Sequence, residues 1–141
     1  MTERLSVAEV RHIAFTLARS HLTYDEPIPD FDTRRPNILE GCLAIPFQKI
    51  NKKPAYQGLI QKAAVLFYLM IKNHPFQNGN KRIAMTTLFV FLSENGKWLK
   101  VENEKLYKFA VRVAESNSKR KTQTINSIES FLENHLVDFE S

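Results

Sequence analysis

Apolar residues along this chain recur mostly at helical spacing. Val7, Val10, Ile13, Ala14, Leu17 and Ala18 return every three or four positions, with Arg11, His12, Thr16 and Arg19 on the other face. That is the pattern of an amphipathic helix. Ser6 and Glu9 precede it as a capping box, in which the serine accepts from the glutamate N–H and the glutamate returns the bond. His12 and His21 read as surface residues. Pro27, Pro29 and Pro36, interleaved with Asp25, Asp30 and Asp32, then predict a loop. Asn37 can cap a short helix over residues 38–43. Residues 44–56 hold two prolines and the Lys52-Lys53 pair, which argue against a helix, while Phe47 and Ile50 hint at a short extended or hairpin segment. Spacing alone favours a plain connecting loop there over a partly ordered flap.

Residues 59–71 and 83–92 are apolar on most sides, which predicts two buried helices. The first ends near Asn73, because the residue before a proline, His74, avoids helical angles. The second starts near Asn80, a residue type suited to an N-cap. Asn95-Gly96 is a helix stop, and residues 97–101 form a short connector of alternating polarity. A helix over 104–116 buries Leu106, Phe109, Ala110 and Val113. After a basic turn comes a helix over 122–136 that buries Ile125, Ile128, Phe131 and Leu132. His135 lies near its end, where a cation suits the dipole. The expected architecture is a single all-α domain over residues 1–141, with about six helices and one short irregular or β element.

Composition narrows the setting. The chain has 141 residues, 43% hydrophobic and 25% charged, ordinary for a soluble domain with a real core. Gln61, Lys62 and Lys72 interrupt the longest apolar run, so no membrane span is expected. The N-terminus lacks the apolar stretch of a secretory signal. Cys42 is the sole cysteine, which excludes an internal disulfide and fits a reducing, cytoplasmic setting. The net charge of +5 permits a nucleic acid, a nucleotide or an acidic protein as partner, and serves solubility equally well. Arg34, Arg35, Lys52, Lys53, Lys119, Arg120 and Lys121 are scattered over loops, with no basic stripe on a helix. Nucleic acid is therefore not the expected target.

Between the two buried helices lies a polar island, His74-Pro75-Phe76-Gln77-Asn78-Gly79-Asn80-Lys81-Arg82. A tight loop opening into a helix N-terminus offers backbone N–H groups and the positive end of the dipole, which favour phosphate. Gly79 permits close backbone approach, and Lys81 and Arg82 add positive charge. His74 can take a proton from a hydroxyl that attacks a phosphate. Asn80 can donate to a phosphate oxygen, and Lys81 and Arg82 can neutralise charge developing in the transition state. Asn78 offers a neutral oxygen to Mg²⁺ or to its water. Phe76, the one apolar residue of the loop, points inward as an anchor. Taken singly, each has an ordinary structural reading: a proline-turn histidine, a solvated Asn-Gly-Asn turn, a charged helix start. Their concentration at one helix junction points to phosphate chemistry.

This stretch resembles the signature of the Fic/Doc family, in which a histidine and a phenylalanine precede a Gly-Asn-Gly/Lys-Arg loop. His74, Phe76, Asn80, Lys81 and Arg82 match the Doc form in spacing. At about 5% per residue type, a chance match in a chain this long is on the order of a few in 100,000. The resemblance covers about residues 36–101. It implies a Fic/Doc-like helical domain with a short β-hairpin flap near 45–55, where a target's backbone adds as a strand. It also implies an enzyme that moves part of a nucleotide onto a hydroxyl of a protein. Lys81 gives the Doc-like form: transfer of the terminal phosphate of ATP, with Mg²⁺, to a target such as elongation factor Tu. The result is inhibited translation by a toxin that a cognate antitoxin silences.

By that resemblance, His74 is the catalytic base, Gly79 and Asn80 shape the anion hole, and Lys81 and Arg82 grip phosphates. Asn78 stands where the family has an acidic Mg²⁺ ligand. A neutral amide ligates the metal more weakly, which leaves open a catalytically weak member that binds a nucleotide or partner. Pro75 and Gly79 are Fic-like, which leaves open transfer of AMP. Met85 stands where AMP-transferring members carry a second arginine, which favours the Doc-like reading. Residues 130–134 are one residue too short for the family's self-inhibitory helix, so an external antitoxin is expected.

Overall fold

A computed structural model describes residues 2–13 and 31–139. The part of the first predicted helix that carries Ala14, Leu17 and Ala18, with His21 and the Pro27–Pro29 stretch, lies outside the described residues. Helix α1 spans Val7–His12 behind the expected capping box. The Glu9 N–H donates to Ser6 Oγ at 3.1 Å, and the Ser6 N–H donates to Glu9 Oε1 at 3.0 Å. Helix α2 spans Pro36–Ala44 with Arg35, not Asn37, as its N-cap residue. Proline needs no N–H partner at the first helical position and is already at the helical φ. Pro36 therefore starts the helix ahead of Asn37.

After a 3₁₀ turn at Ile45–Phe47, strands β1 (Lys49–Ile50) and β2 (Lys53–Pro54) pair antiparallel, Lys49 facing Pro54 and Ile50 facing Lys53. Spacing alone favoured a plain loop here, whereas the hairpin implied by the family resemblance is what forms. Its strands are two residues long and exposed on both faces, so no alternation could mark them. Asn51 and Lys52 turn the chain at φ 53° and 69°, the left-handed pair that a two-residue hairpin requires. Asn51 is a usual occupant of such a turn, and Lys52 is not. Pro54 has no N–H to contribute, which is tolerable on an edge strand.

The two long central helices are α3 (Gly58–Lys72) and α4 (Asn80–Glu94). Every residue of α3 from Ala63 to Ile71 is buried, because α2, α4, α5 (Asn103–Glu115) and α6 (Lys121–His135) all pack against it. Parallel ring stacking ties the layers together: Phe67 lies 6.4 Å from Phe109, and Phe109 lies 4.2 Å from Phe131. One hydrophobic cluster links α1 through α6.

Gly96, at φ 79°, ends α4 as expected. The connector then becomes strand β3 (Lys97–Leu99), which pairs antiparallel with β4 (Leu136–Asp138) in the register Trp98 to Val137. Sequence spacing had extended the last helix to 136; it ends at His135 and the chain turns extended. An ion pair of Lys97 with Asp138 closes the sheet edge. The architecture is thus all-α with two small two-stranded sheets. It brings the C-terminal end of α3 and the N-terminal end of α4 together across residues 73–79.

Candidate active site

The loop is built from backbone conformation outward. Asn73 closes α3, its N–H donating to Leu69 O at 2.9 Å. His74 then takes φ 49°, a left-handed conformation that costs a non-glycine residue on the order of 1 kcal/mol. Its side chain is exposed, whereas Pro75 and Phe76 are buried. Phe76 is the inward anchor expected, its ring 5.9 Å from that of Phe31. Gln77 and Asn78 return to the surface. Gly79, at φ 74°, ψ 14°, is the N-cap of α4, in place of the expected Asn80. A left-handed cap here admits glycine without steric cost, and it places Asn80 inside the first turn.

Asn80 is only 8% exposed, and its amide is turned back onto the loop. Its Oδ1 accepts from the Phe76 N–H at 3.0 Å, and its Nδ2 donates to Phe76 O at 2.9 Å. This two-point clasp satisfies both backbone groups of a buried residue, which would otherwise be left without partners. The same Nδ2 lies 3.4 Å from His74 Nδ1. An amide nitrogen can only donate, so the contact is a hydrogen bond in the tautomer whose proton sits on Nε2. Asn80 thus joins the loop's anchor to the candidate base.

The ladder of α4 begins with the Ile83 N–H donating to Gly79 O at 3.0 Å. The N–H groups of Asn80, Lys81 and Arg82 precede that first bond, at the positive end of the dipole. Lys81 is half-buried and Arg82 only 5% exposed. Two cations, one deep in the fold, therefore reinforce the dipole where charge is least screened. The arrangement favours a polyanion and disfavours a cation. Asn78 is exposed on the outer arm of the loop. Among the described residues no group of three or more His, Cys, Asp and Glu side chains is arranged to hold a metal ion. Asn78 offers a neutral side-chain oxygen that could ligate Mg²⁺, an ion that ordinarily keeps several waters. Met85 is fully buried, so its thioether faces the core and brings no charge to a bound phosphate.

One contributor stood in the sequence only among the scattered loop cations. Arg35 donates from its backbone N–H to Pro75 O at 2.8 Å and from Nη1 to His74 O at 2.9 Å. The available signal was the Arg35-Pro36 pair, since a residue before proline is held extended. Its distance of 39 residues from His74 hid the partner. A groove of about 290 Å³ between α3 and α6, lined by Tyr56, Gln61, Val65, Lys121, Ile125 and Glu129 among others, includes no residue of the loop.

The sequence model of the Fic/DOC family matches residues 4–92, a span that contains the whole loop. The chain belongs to the Fic/DOC family. Within it, Toxin Doc of Mycolicibacterium smegmatis is 36% identical over 59 residues, which cover 42% of this chain and 45% of that protein. The chain thus spans a little under half the length of that relative. No solved structure matches the chain. The family is further consistent with the helical frame and its short hairpin. No helix among the described residues is long and apolar enough to cross a membrane.

Proposed function

We propose that this Fic/DOC family member is a Doc-like toxin of a toxin–antitoxin pair, which transfers the terminal phosphate of ATP to a hydroxyl of a protein target in the cytoplasm. The observation that carries the reading is the exposed His74 imidazole beside Asn80, at the mouth of a loop that opens α4 with two cations in its first turn. In this reading His74 acts in its other tautomer, with the proton on Nδ1 and the Asn80 contact released. Nε2 then accepts the proton of the target hydroxyl as that oxygen attacks the terminal phosphorus, the bond to the bridging oxygen breaks and ADP leaves. The N–H groups at the start of α4, with Gly79 and Asn80 shaping the approach, hold phosphate oxygens. Lys81 and Arg82 neutralise the charge that grows on them. Mg²⁺, if bound with ATP, would offset the charge of the phosphates. Asn78 is the chain's oxygen donor toward that ion. The β1–β2 hairpin, whose edge is exposed, adds the target's backbone as a strand. Elongation factor Tu is the expected target and a cognate antitoxin the expected silencing partner. The relative's name, Toxin Doc, supports that pairing.

A second reading, transfer of AMP, is favoured by the Fic-like Pro75 and Gly79 and opposed by the buried Met85. A third is a weak member that binds nucleotide without transfer, which the neutral Asn78 favours. Incubation with a cell extract and ATP labelled at the α- or the γ-phosphate separates the three. γ-Label alone in protein supports the kinase, α-label supports AMP transfer, and nucleotide binding without label in protein supports the third. His74→Ala should lower transfer by about 100-fold or more; a variant as active as wild type contradicts the role of His74.

A further inference from the structure

We propose that Arg35 is a positioning residue that holds His74 at the mouth of the loop by gripping two successive carbonyls. The inference rests on the reading of His74 as the base. His74 stands at φ 49°, a conformation that persists only where surrounding structure over-determines it. Residues before proline prefer extended backbone, so a released His74 would swing its carbonyl away and re-aim its Cα–Cβ bond. Two bonds oppose that motion. The guanidinium of Arg35 donates to His74 O at 2.9 Å, and the Arg35 N–H donates to Pro75 O at 2.8 Å. A hydrogen bond from a charged donor is stronger than a neutral one.

The grip is itself preset by sequence. Pro36 forces Arg35 extended, at φ −93°, ψ 99°, and removes it from the helix. Its carbonyl stays with α2, accepting from the N–H groups of Ile38 and Leu39 at 3.1 and 3.0 Å. Its N–H and side chain are left to reach the loop. Immediately upstream, Phe31 packs on Phe76 and Arg34 lies over the Phe31 ring at 4.2 Å. The segment leading into α2 therefore holds the loop from outside, while Asn80 clasps it from inside. Because the guanidinium is engaged with backbone, it acts on the reaction through His74.

Full-length wild type, Arg35→Ala and Arg35→Lys are compared by amide exchange and by label transfer from ATP. The Phe76 amide reports on the loop, and the Leu69 amide in α3 reports on the core. Arg35→Ala should speed Phe76 exchange by about tenfold, leave Leu69 unchanged, and lower kcat by about tenfold with nucleotide KM unaltered. Arg35→Lys, which keeps a charged donor, should recover most of both losses. Three results overturn the proposal: Phe76 exchange unchanged in Arg35→Ala, Phe76 and Leu69 accelerated together, or KM raised with kcat intact. If wild type transfers no label, the reading of His74 as the base fails, and the exchange comparison alone then decides whether Arg35 holds the loop.

Discussion

Asn80 does two jobs at the residue scale: it clasps both backbone groups of Phe76 and touches His74. Asn80→Ala strands a buried donor and a buried acceptor, each costing about 1–3 kcal/mol. Its urea midpoint should fall accordingly. Asn80→Asp keeps the acceptor for the Phe76 N–H but sets a second oxygen against Phe76 O, so it should lose stability as well. An Asn80→Ala midpoint equal to wild type contradicts the clasp. At Gly79, φ 74°, any L side chain is strained by about 1–2 kcal/mol. Gly79→Ala should therefore lower the thermal midpoint through backbone strain alone. The motif residues were legible from the sequence because their chemistry is local. The duty of Asn80 was not, because a side chain turned back onto its own loop leaves no mark in spacing.

At the scale of elements, burial made the long helices legible. Segment 59–71 has apolar residues on most sides, and α3 is enclosed by four other helices. The helix ends were placed by proline and glycine chemistry, at His74-Pro75 and Asn95-Gly96. The first hairpin was hinted at by Phe47 and Ile50 and implied by the family resemblance, whereas spacing alone did not mark the short strands. β1 and β2 are two residues each, and the first residue of β4, Leu136, was absorbed into the end of the preceding helix because it continues that helix's apolar stripe. The hairpin offers a test of the turn argument. Lys52 at φ 69° occupies a position that type I′ turns give to glycine. Lys52→Gly should slow exchange of the Ala55 amide, which donates to Gln48 O at 3.0 Å and closes the hairpin. Faster exchange in the variant contradicts the turn assignment.

Two ionisable features belong to the whole molecule. The N-terminal segment is fastened to the end of α4, where the Glu3 N–H donates to Asn95 Oδ1 and Asn95 Nδ2 donates to Glu3 O. Beside this seam the carboxyl of Glu94, an exposed residue, is pushed up to about 7 by partial desolvation, by its hydrogen bond with Glu9, and by the charges of Glu9 and Glu3. Glu9 is lowered, chiefly by that same bond, with Ser6 assisting and burial opposing. Below about 7 the proton of the pair therefore favours Glu94 and the charge Glu9. A carboxyl whose folded value is raised stabilises the fold below its ordinary 4.5 and loses that contribution as pH rises through about 7. Wild-type stability from urea titrations should thus decline over that interval, whereas Glu94→Gln, which cannot ionise, should show a shallower decline. Equal slopes contradict the shared proton. Burial likewise pushes the Cys42 thiol up to about 12, so native protein should resist alkylation until it unfolds.

The loop between α3 and α4 carries the proposed function, and which phosphate of ATP reaches protein separates a kinase from an AMP transferase. Wild type and His74→Ala are incubated in parallel with cell extract and ATP labelled at the α- or γ-position. Wild type should place γ-label alone in protein, and His74→Ala should lose about 100-fold or more of that transfer. Label from the α-position, no label with either nucleotide, or full activity in His74→Ala contradicts the proposed function.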